Sequence, residues 1–361
     1  DPRGDVYVGD GTGNLDLDTI LNGQGNTFDP NGEVVGDRIR PDRPAPADTV
    51  VNLDTGETFT GEAAIQNAID DGDTETDDTL RVGPGTYGES GDIDVEGLTL
   101  EGPNVGIDGD SDQRGAEASF EVGGAITADN VTIDGVELTT GSGFSSVTGQ
   151  NTVIRNTAAD VDGSAVVRLE AGSDGTVITQ NSFTGDGGNF LINARQGARD
   201  GASPIDSVEL TDNSFENVTG EGKTAIQAAG FTNAEISGNR FDGISEDAVR
   251  LAGNVSGTEL TDNEFSNYAQ DSSISGGDID AGAVVAVNVS GDVDISGNQF
   301  NDAGGDNVYL NPILQNDPAA LDLGAIADSN TFDSNVIAND TVIIPSNPTA
   351  SVEVNAVAAG D

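Results

Sequence analysis

The chain has 361 residues and a formal net charge of −51, from 13 Lys and Arg against 64 Asp and Glu. It contains no His, Cys, Met or Trp, which excludes disulfides, thiol catalysis, cysteine-based zinc sites and Ser-His-Asp triads. Because phosphate binding needs clustered cations, nucleic acid is also excluded as a partner.

The charge points to a salty environment outside the cell. In dilute salt such a chain repels itself, whereas at 1 M salt the Debye length is only about 3 Å. The composition therefore indicates an extreme halophile, with an archaeon as the source. The lack of an initiator Met indicates a processed chain that has lost a signal peptide, and thus an extracellular or cell-surface location. No run of 18 apolar residues occurs, so no transmembrane segment is predicted.

The first 60 residues predict extended segments ahead of the main fold. Residues 1–36 hold short apolar pieces between Gly, Asn and Asp, which predict an N-terminal arm with short strands. Residues 37–60 are interpreted as a Pro/Arg linker and a lead-in, with Arg38, Arg40 and Arg43 among prolines. These arginines are candidates for an assembly contact with an acidic neighbouring subunit.

Residues 61–107 predict a helix followed by short strands. Apolar residues at helical spacing indicate an amphipathic helix over Glu62–Asp70. Strands are predicted at Leu80–Val82, Ile93–Val95 and Leu98–Leu100.

The run AIQNAID, DTLRVGPGTY and LTLEGPN within residues 61–107 resembles the N-terminal cap and first coil of the pectin-lyase-like family. The resemblance implies an all-β fold, a single-stranded right-handed parallel β-helix over residues 61–345. The helix would be its N-terminal cap, and residues 346–361 would form a C-terminal tail. Since the family contains lyases, hydrolases, binding proteins and structural proteins, the resemblance implies no single activity.

An Asn-x-Phe motif recurs after residue 107. Its copies are separated by 32, 26, 24, 35 and 32 residues, which predicts coils of about 24 residues with inserted loops. Stacked copies predict a column of hydrogen-bonded Asn side chains at a turn and a buried column of Phe side chains beneath it. The predicted Asn column is Asn156, Asn181, Asn213, Asn239, Asn263, Asn298 and Asn330. The predicted Phe column is Phe183, Phe215, Phe241, Phe265, Phe300 and Phe332.

A second strand follows each motif, and its alternation separates an inward from an outward face. In the strand GAVVAVN, we expect Val285 to lie inward and Ala286 outward. The whole outward column is then Arg168, Asn193, Gln227, Arg250, Ala286, Tyr309 and Ile343, with Arg195 on the same face.

The polar residues of this face are the candidate ligand-binding residues. Arginine is scarce in this chain, and an arginine-bearing face is suited to bidentate binding of carboxylates or sulfates and to hydrogen bonding with sugars. The alternative is that Arg168 and Arg250 only neutralise nearby acids such as Glu170 and Asp247. The candidates are Arg168, Asn193, Arg195, Gln227, Arg250 and Tyr309.

Enzymatic activity is left open, and no catalytic residue is assigned. Lyases of the family abstract a proton next to a uronate carboxylate with an Arg or Lys base and calcium held by several Asp, so Arg168 or Arg250 would be the base. That face lacks an acidic run to hold the ion. Hydrolases of the family use paired carboxylates with NTD, GHG and RIK motifs. This chain has neither GHG nor RIK, and Asp160 with Asp162 is a weak substitute.

One segment carries the alternating carboxylates of a calcium loop. Asp108, Asp110 and Asp112 match its start, but Gln113 replaces the expected Gly and Ser119 the expected Glu. Solvated acid is the alternative. No cofactor is required, and calcium is the one that the sequence suggests.

N-glycosylation sequons occur five times, and an exported protein is expected to use them. The favoured hypothesis is a structural or adhesive β-helix that assembles into a surface layer or filament, because no helix comparable to the N-terminal one is seen near the C-terminal end. A lyase or hydrolase, or a passive module binding acidic glycans, is the alternative. Expected partners are further copies of the chain or surface glycans. The sequon residues are Asn130, Asn217, Asn254, Asn288 and Asn339.

Overall fold

The computed structural model describes most of the chain between residues 45 and 343. The chain divides after Arg38 into two units, and every described residue belongs to the second. The predicted arm, and with it Arg38, Arg40 and Arg43, lies outside the described residues. The described residues are 45–139, 144–160, 166–185, 190–194, 203–219, 224–268, 282–287, 289, 292–301, 311–315, 323–332 and 342–343.

The fold is all-β, as predicted, and is built from three large sheets whose strands are mostly parallel. The first sheet, in spatial order, contains Thr58–Thr60, Thr49–Asn52, Thr79–Val82, Thr99–Glu101, Thr132–Asp134, Val153–Arg155, Val177–Thr179, Glu209–Thr211, Glu235–Ser237, Thr258–Thr261 and Val293–Ser296. The second contains Gly85–Ser90, Ala118–Val122, Glu137–Thr139, Ala158–Asp160, Ser182–Thr184, Ser214–Glu216, Arg240–Asp242, Glu264–Ser266, Gln299–Asn301 and Thr331–Phe332. The third contains Ala125–Ile126, Phe144–Val147, Val167–Leu169, Phe190–Ala194, Thr224–Ala229, Val249–Ala252, Gly282–Val287, Asn311–Gln315 and Val342–Ile343.

The chain visits the three sheets repeatedly in the same order. Each pass adds one strand to each sheet, next to the strand from the previous pass. In the second sheet, for example, Phe215 pairs with Phe183 and Phe241 pairs with Phe215. A small pair, Ile205–Asp206 with Phe231–Thr232, lies outside the large sheets. This connectivity stacks equivalent residues of successive passes into columns.

The lead-in before the first parallel strand is itself part of a sheet. Residues 49–60, which were predicted to be part of the linker and lead-in, form the strands Thr49–Asn52 and Thr58–Thr60. The first of these pairs antiparallel with the second and with Thr79–Val82. The predicted strand at Ile93–Val95 is reduced to a single bridge between Ile93 and Ile126.

The Phe column is confirmed where the structure describes its side chains. Phe183, Phe215, Phe241, Phe265 and Phe300 are fully buried. Successive ring centroids are 5.1, 4.9, 4.9 and 4.9 Å apart, with near-parallel planes. Such stacked ring pairs contribute beyond simple burial, so the column is a main source of cohesion between passes.

The Asn column is confirmed from Asn181 onward. Asn181 donates from its backbone N–H and its Nδ2 to Oδ1 of Asn213, at 3.1 and 3.0 Å. The same two bonds recur at every step to Asn330. Each Asn from Asn181 to Asn330 also donates to a carbonyl oxygen of the first sheet or the adjoining turn, such as Asn213 to Ile178 at 2.8 Å. The column therefore satisfies the buried turn backbone.

Asn156 does not belong to this column, contrary to the prediction. The strand register aligns Thr157 with Asn181, and the Thr157 N–H donates to Asn181 Oδ1 at 2.9 Å. Asn156 instead has φ of 53° and stands one residue earlier. In later passes this left-handed position is held by Gln180, Asp212, Gly238, Asp262 and Gly297. Asn is suited to the column position because its amide forms hydrogen bonds, and to the left-handed position because its backbone tolerates positive φ. Residue type alone therefore led to the wrong position for Asn156.

Two helices are described, and each lies near one end of the first sheet. Helix α1, Ala64–Ile69, is shorter than predicted and buries Ala64, Ile65, Ala68 and Ile69. Helix α2, Leu323–Ser329, contacts the last strand of the first sheet, Val293–Ser296, and was not predicted. Asn330 Nδ2 and Ser329 Oγ donate to the carbonyl oxygen of Ile295 at 2.8 and 3.4 Å. The C-terminal edge of this sheet is therefore covered there, contrary to the sequence-based expectation of an open end.

Tyr87 occupies the first position of the Phe column, which continues through Phe120, Leu138 and Ala159 before the stacked rings begin at Phe183. Its ring is buried beside Phe120, and its hydroxyl contacts the carbonyl oxygens of Gly83 and Thr49 at 2.7 and 3.0 Å. Burial raises the pKa of Tyr87 from 10.0 to about 12, because the phenolate would lose its hydration.

Alkaline pH is therefore expected to destabilise the fold through Tyr87. Because the pKa of Tyr87 is higher in the folded than in the unfolded state, its stabilisation of the fold is complete below the unfolded-state pKa. This stabilisation is lost as the pH rises to the folded-state pKa. Two units correspond to about 2–3 kcal/mol, lost between about pH 10 and pH 12. Denaturant unfolding of the wild type and of Tyr87→Phe across this range measures it. An equal pH slope in the two proteins would contradict the assignment.

Candidate binding face on the third sheet

The positions of the third sheet that were predicted to face outward align into one column. Strand pairing sets Arg168 beside Asn193, Asn193 beside Gln227, and Gln227 beside Arg250. Since adjacent strands lie about 4.8 Å apart, the four side chains form a row across the strands, called here the polar row. The predicted alignment is confirmed, but the predicted outward exposure is not, since Arg168 is exposed whereas Asn193 and Gln227 are buried.

Beyond Arg250 the column differs from the prediction by one residue. Arg250 is paired with Val285, while Ala286 pairs with Leu251 and is buried. Because Val284 and Val285 are consecutive and both apolar, the sequence of this strand does not show which of them faces inward. Only pairing with the neighbouring strand sets which residue faces inward.

Two further predicted candidates lie outside the described residues, Arg195 and Tyr309. In the register, the position expected for Tyr309 is taken by Leu314, and Ile343 follows. The polar row therefore ends at Arg250.

Arg168 is distinguished from the other arginines by its lack of an ion pair. Of the six arginines that the structure describes, the other five each pair with a carboxylate. Arg168 is exposed. The suggested pairing of Arg168 with Glu170 is not formed. A free guanidinium on the surface of so acidic a protein is available to an anionic ligand.

Arg250 is neutralised at the other end of the polar row. Its Nε donates to Oδ2 of Asp247 at 2.6 Å, and Asp247 is fully buried. The expectation that Arg250 balances Asp247 is confirmed. A buried carboxylate without its cation is costly, so Arg250 has a structural duty that Arg168 lacks.

The middle of the polar row consists of two amides with unsatisfied oxygens. Only 8% of the surface of Asn193 and 9% of that of Gln227 is accessible to solvent. Asn193 Oδ1 and Gln227 Oε1 have no hydrogen-bond partner. A buried acceptor without a donor costs about 1–3 kcal/mol, so two such groups side by side indicate a place where a donor from water or a ligand belongs.

The predicted calcium residues do not converge. Asp108, Asp110 and Asp112 are exposed, and Asp108 accepts a hydrogen bond from Gln180 Nε2 at 2.8 Å. Among the described residues, one group of three carboxylates comes within 4.8 Å, and these three are not in it. The segment that carries Asp108, Asp110 and Asp112 therefore contacts the turn at Gln180 and does not bring its three carboxylates together.

The carboxylates that do converge are Glu57, Asp71 and Asp73. Repulsion by the Asp71 carboxylate, followed by desolvation and by repulsion from Asp73, raises the pKa of the exposed Glu57. This group is not apparent from the sequence, because Glu57 lies in the lead-in and its partners lie in the loop after α1. Exposed like charges of this kind occur without a bound ion, and nothing further in the described residues marks a site.

The remaining candidates lie away from the polar row. Asp160 is an exposed residue of the second sheet, and Asp162 lies outside the described residues. The sequon residues Asn130, Asn217 and Asn254 are exposed, as glycosylation requires. The other two sequons, at Asn288 and Asn339, are not described.

No family model, curated protein or solved structure matches the chain. Within the described residues, no helix has both the length and the apolar composition needed to cross a bilayer.

Proposed function

We propose that this protein is an extracellular adhesive β-helix of an extreme halophile, which binds acidic glycans on the polar row without cleaving them. The single observation that supports binding is the row itself, with an unpaired arginine beside two amides whose buried oxygens lack partners.

The fold assignment in this proposal is a right-handed parallel β-helix of the pectin-lyase-like kind. It is supported by the three stacked sheets visited in a repeating order, and by the Asn and Phe columns at equivalent positions of successive passes. Helix α1 would serve as the N-terminal cap, because it buries its apolar side beside the first strands.

The salt adaptation is supported by how the acids are arranged as well as by their number. Four exposed carboxylates stand in register on adjacent strands of the first sheet, where like charges destabilise a sheet in dilute salt. Molar salt screens this repulsion. The four residues are Glu209, Glu235, Glu259 and Asp294.

Binding without cleavage is favoured over a lyase or a hydrolase. A lyase base at Arg250 would have to leave the buried Asp247 without its cation. The described carboxylates give Arg168 no converging acidic group to hold calcium, since Glu57, Asp71 and Asp73 lie elsewhere. Self-assembly through the first sheet is disfavoured by helix α2 at its C-terminal edge.

A glycan array in molar salt tests the proposal. We expect the wild-type protein to retain acidic glycans, and Arg168→Ala combined with Asn193→Ala to weaken binding at least about tenfold, since a charge-assisted bond and an acceptor are both lost. Arg240→Ala is the matched control, because it removes an equal charge from the second sheet. Equal binding by the wild-type and double-variant proteins would contradict the proposal. Ultraviolet absorbance from unsaturated uronates would show a lyase instead.

A further inference from the structure

We propose that residues 102–117, called here the strap, hold the early passes of the stack to a later one, so that these passes open together rather than one at a time. The strap joins Thr99–Glu101 in the first sheet to Ala118–Val122 in the second. In the next three passes the same connection is made by residues 135–136, 156–157 and 180–181. A connection so much longer than its neighbours needs a physical role. This inference is independent of any ligand.

The passes just before Asn181 lack the side-chain amides that bridge the later ones. In register with Asn181, the preceding passes carry Thr157 and then Val136. Val136 has no polar side chain, and the Thr157 hydroxyl donates to the carbonyl oxygen of Arg155, within its own pass, at 3.0 Å. Neither side chain therefore bridges two passes. Since each pass of a repeat fold is stabilised mainly by its neighbours, these passes need another source of cohesion.

The strap supplies it by lying across the turns of the following passes. At its start, the Gly102 N–H donates to the carbonyl oxygen of Asp134, one pass on, at 2.7 Å. Farther along, the Gly109 N–H donates to the carbonyl oxygen of Gln180, three passes on, at 2.8 Å. Gln180 Nε2 donates in return to Asp108 Oδ1 at 2.8 Å. The strap is therefore hydrogen-bonded to the turn at which the Asn column begins.

Arg114 holds the strap to the two turns in between. Its guanidinium donates to the carbonyl oxygens of Val136 at 3.0 Å and Asn156 at 2.7 Å, which belong to successive passes. The same group forms a two-bond ion pair with Glu117, at 2.8 and 2.9 Å, and its side chain is only 8% exposed. Charge-assisted bonds of a buried group are strong and are little screened by salt. Arg114 therefore bridges the passes that the Asn column does not reach.

Gly109 lets the strap lie directly on the backbone beneath it. A Cβ atom at Gly109 would overlap the backbone nitrogen of Ser182 and the carbonyl oxygen of Thr157, and neither atom can move without disturbing a turn. Gly115 lies in the same strap, but its Cβ would meet only Asn104 Oδ1, at an ordinary contact distance of 3.6 Å. The two glycines thus provide a matched pair of sites for the same substitution.

Hydrogen-exchange mass spectrometry of the whole chain in molar salt tests the proposal. We expect Gly109→Ala to speed amide exchange in Thr132–Asp134 and Val153–Arg155 together, by at least about tenfold, because bonds from the strap to both passes are weakened at once. Exchange in Glu235–Ser237, which the strap does not contact, is expected to stay unchanged. Gly115→Ala is expected to behave as the wild type throughout.

Arg114→Gln tests the same point without adding a backbone clash, and it decides the matter if Gly109→Ala does not fold. We expect the same two strands to exchange faster in this variant. Its control is Arg240→Gln, which removes an equal charge from the second sheet in a later pass and is expected to leave both strands unchanged. Unchanged exchange in Arg114→Gln, or faster exchange confined to the strap or to one of the two passes, would overturn the proposal.

Discussion

Replacing Phe241 by Ala is expected to lower the free energy of unfolding by about 3–5 kcal/mol. Phe241 is fully buried, and its ring centroid lies 4.9 Å from those of Phe215 and Phe265. Truncation removes the burial of the ring, leaves a cavity, and deprives both neighbouring rings of a stacking partner. Denaturant unfolding in molar salt measures the loss.

A surface variant on the same passes of the chain provides the control. Glu259→Ala removes an exposed side chain from the first sheet and is expected to change stability by no more than about 0.5 kcal/mol. If Phe241→Ala cost no more than this control, the Phe column would not be the source of cohesion that its geometry indicates.

Replacing Asn239 by Ala is expected to cost about 3 kcal/mol or more, although the volume removed is small. Asn239 Oδ1 accepts from the backbone N–H and the Nδ2 of Asn213, each at 3.0 Å. Its own Nδ2 donates to the carbonyl oxygen of Leu210 at 2.7 Å and to Asn263 Oδ1 at 3.0 Å. Alanine leaves these buried groups unpaired, at about 1–3 kcal/mol each.

The last member of the same column is the matched control. Asn330 makes equivalent bonds to Asn298, but it is only half-buried, so water can replace what Asn330→Ala removes. We expect its free-energy loss to be less than half that of Asn239→Ala by denaturant unfolding. Equal losses at the two positions would show that burial of the column contributes little.

The two columns explain how a short polar row can be held in register. Asn and Phe side chains repeat at every pass, so each strand of the third sheet is set at a fixed height relative to the next. The spacing of Asn193 and Gln227 is then a property of the whole stack rather than of local loops.

The sequence by itself determined the repeat and the main columns. Spacing and residue type sufficed for the Phe stack and for Asn181 onward, because each Asn-x-Phe copy combines a turn former with an apolar residue at a fixed offset. Alternation also sufficed to align Arg168, Asn193, Gln227 and Arg250, since single polar residues stand between apolar ones in those strands, but it did not predict that Asn193 and Gln227 are buried.

Only the tertiary structure decides between assignments that the local sequence pattern allows equally. Asn156 suits either of two turn positions, and the Val-Val pair before Ala286 suits either face, so only pairing with the neighbouring strand selects one. Helix α2 is seven residues long and is too short to be stable alone, so it depends on packing against the end of the first sheet. The sequence suggested both Arg168 with Glu170 and Arg250 with Asp247, and only the structure shows that the second pair forms and the first does not. Strand pairing and helix packing are contacts between passes of the chain, and a pattern read along the chain does not contain them.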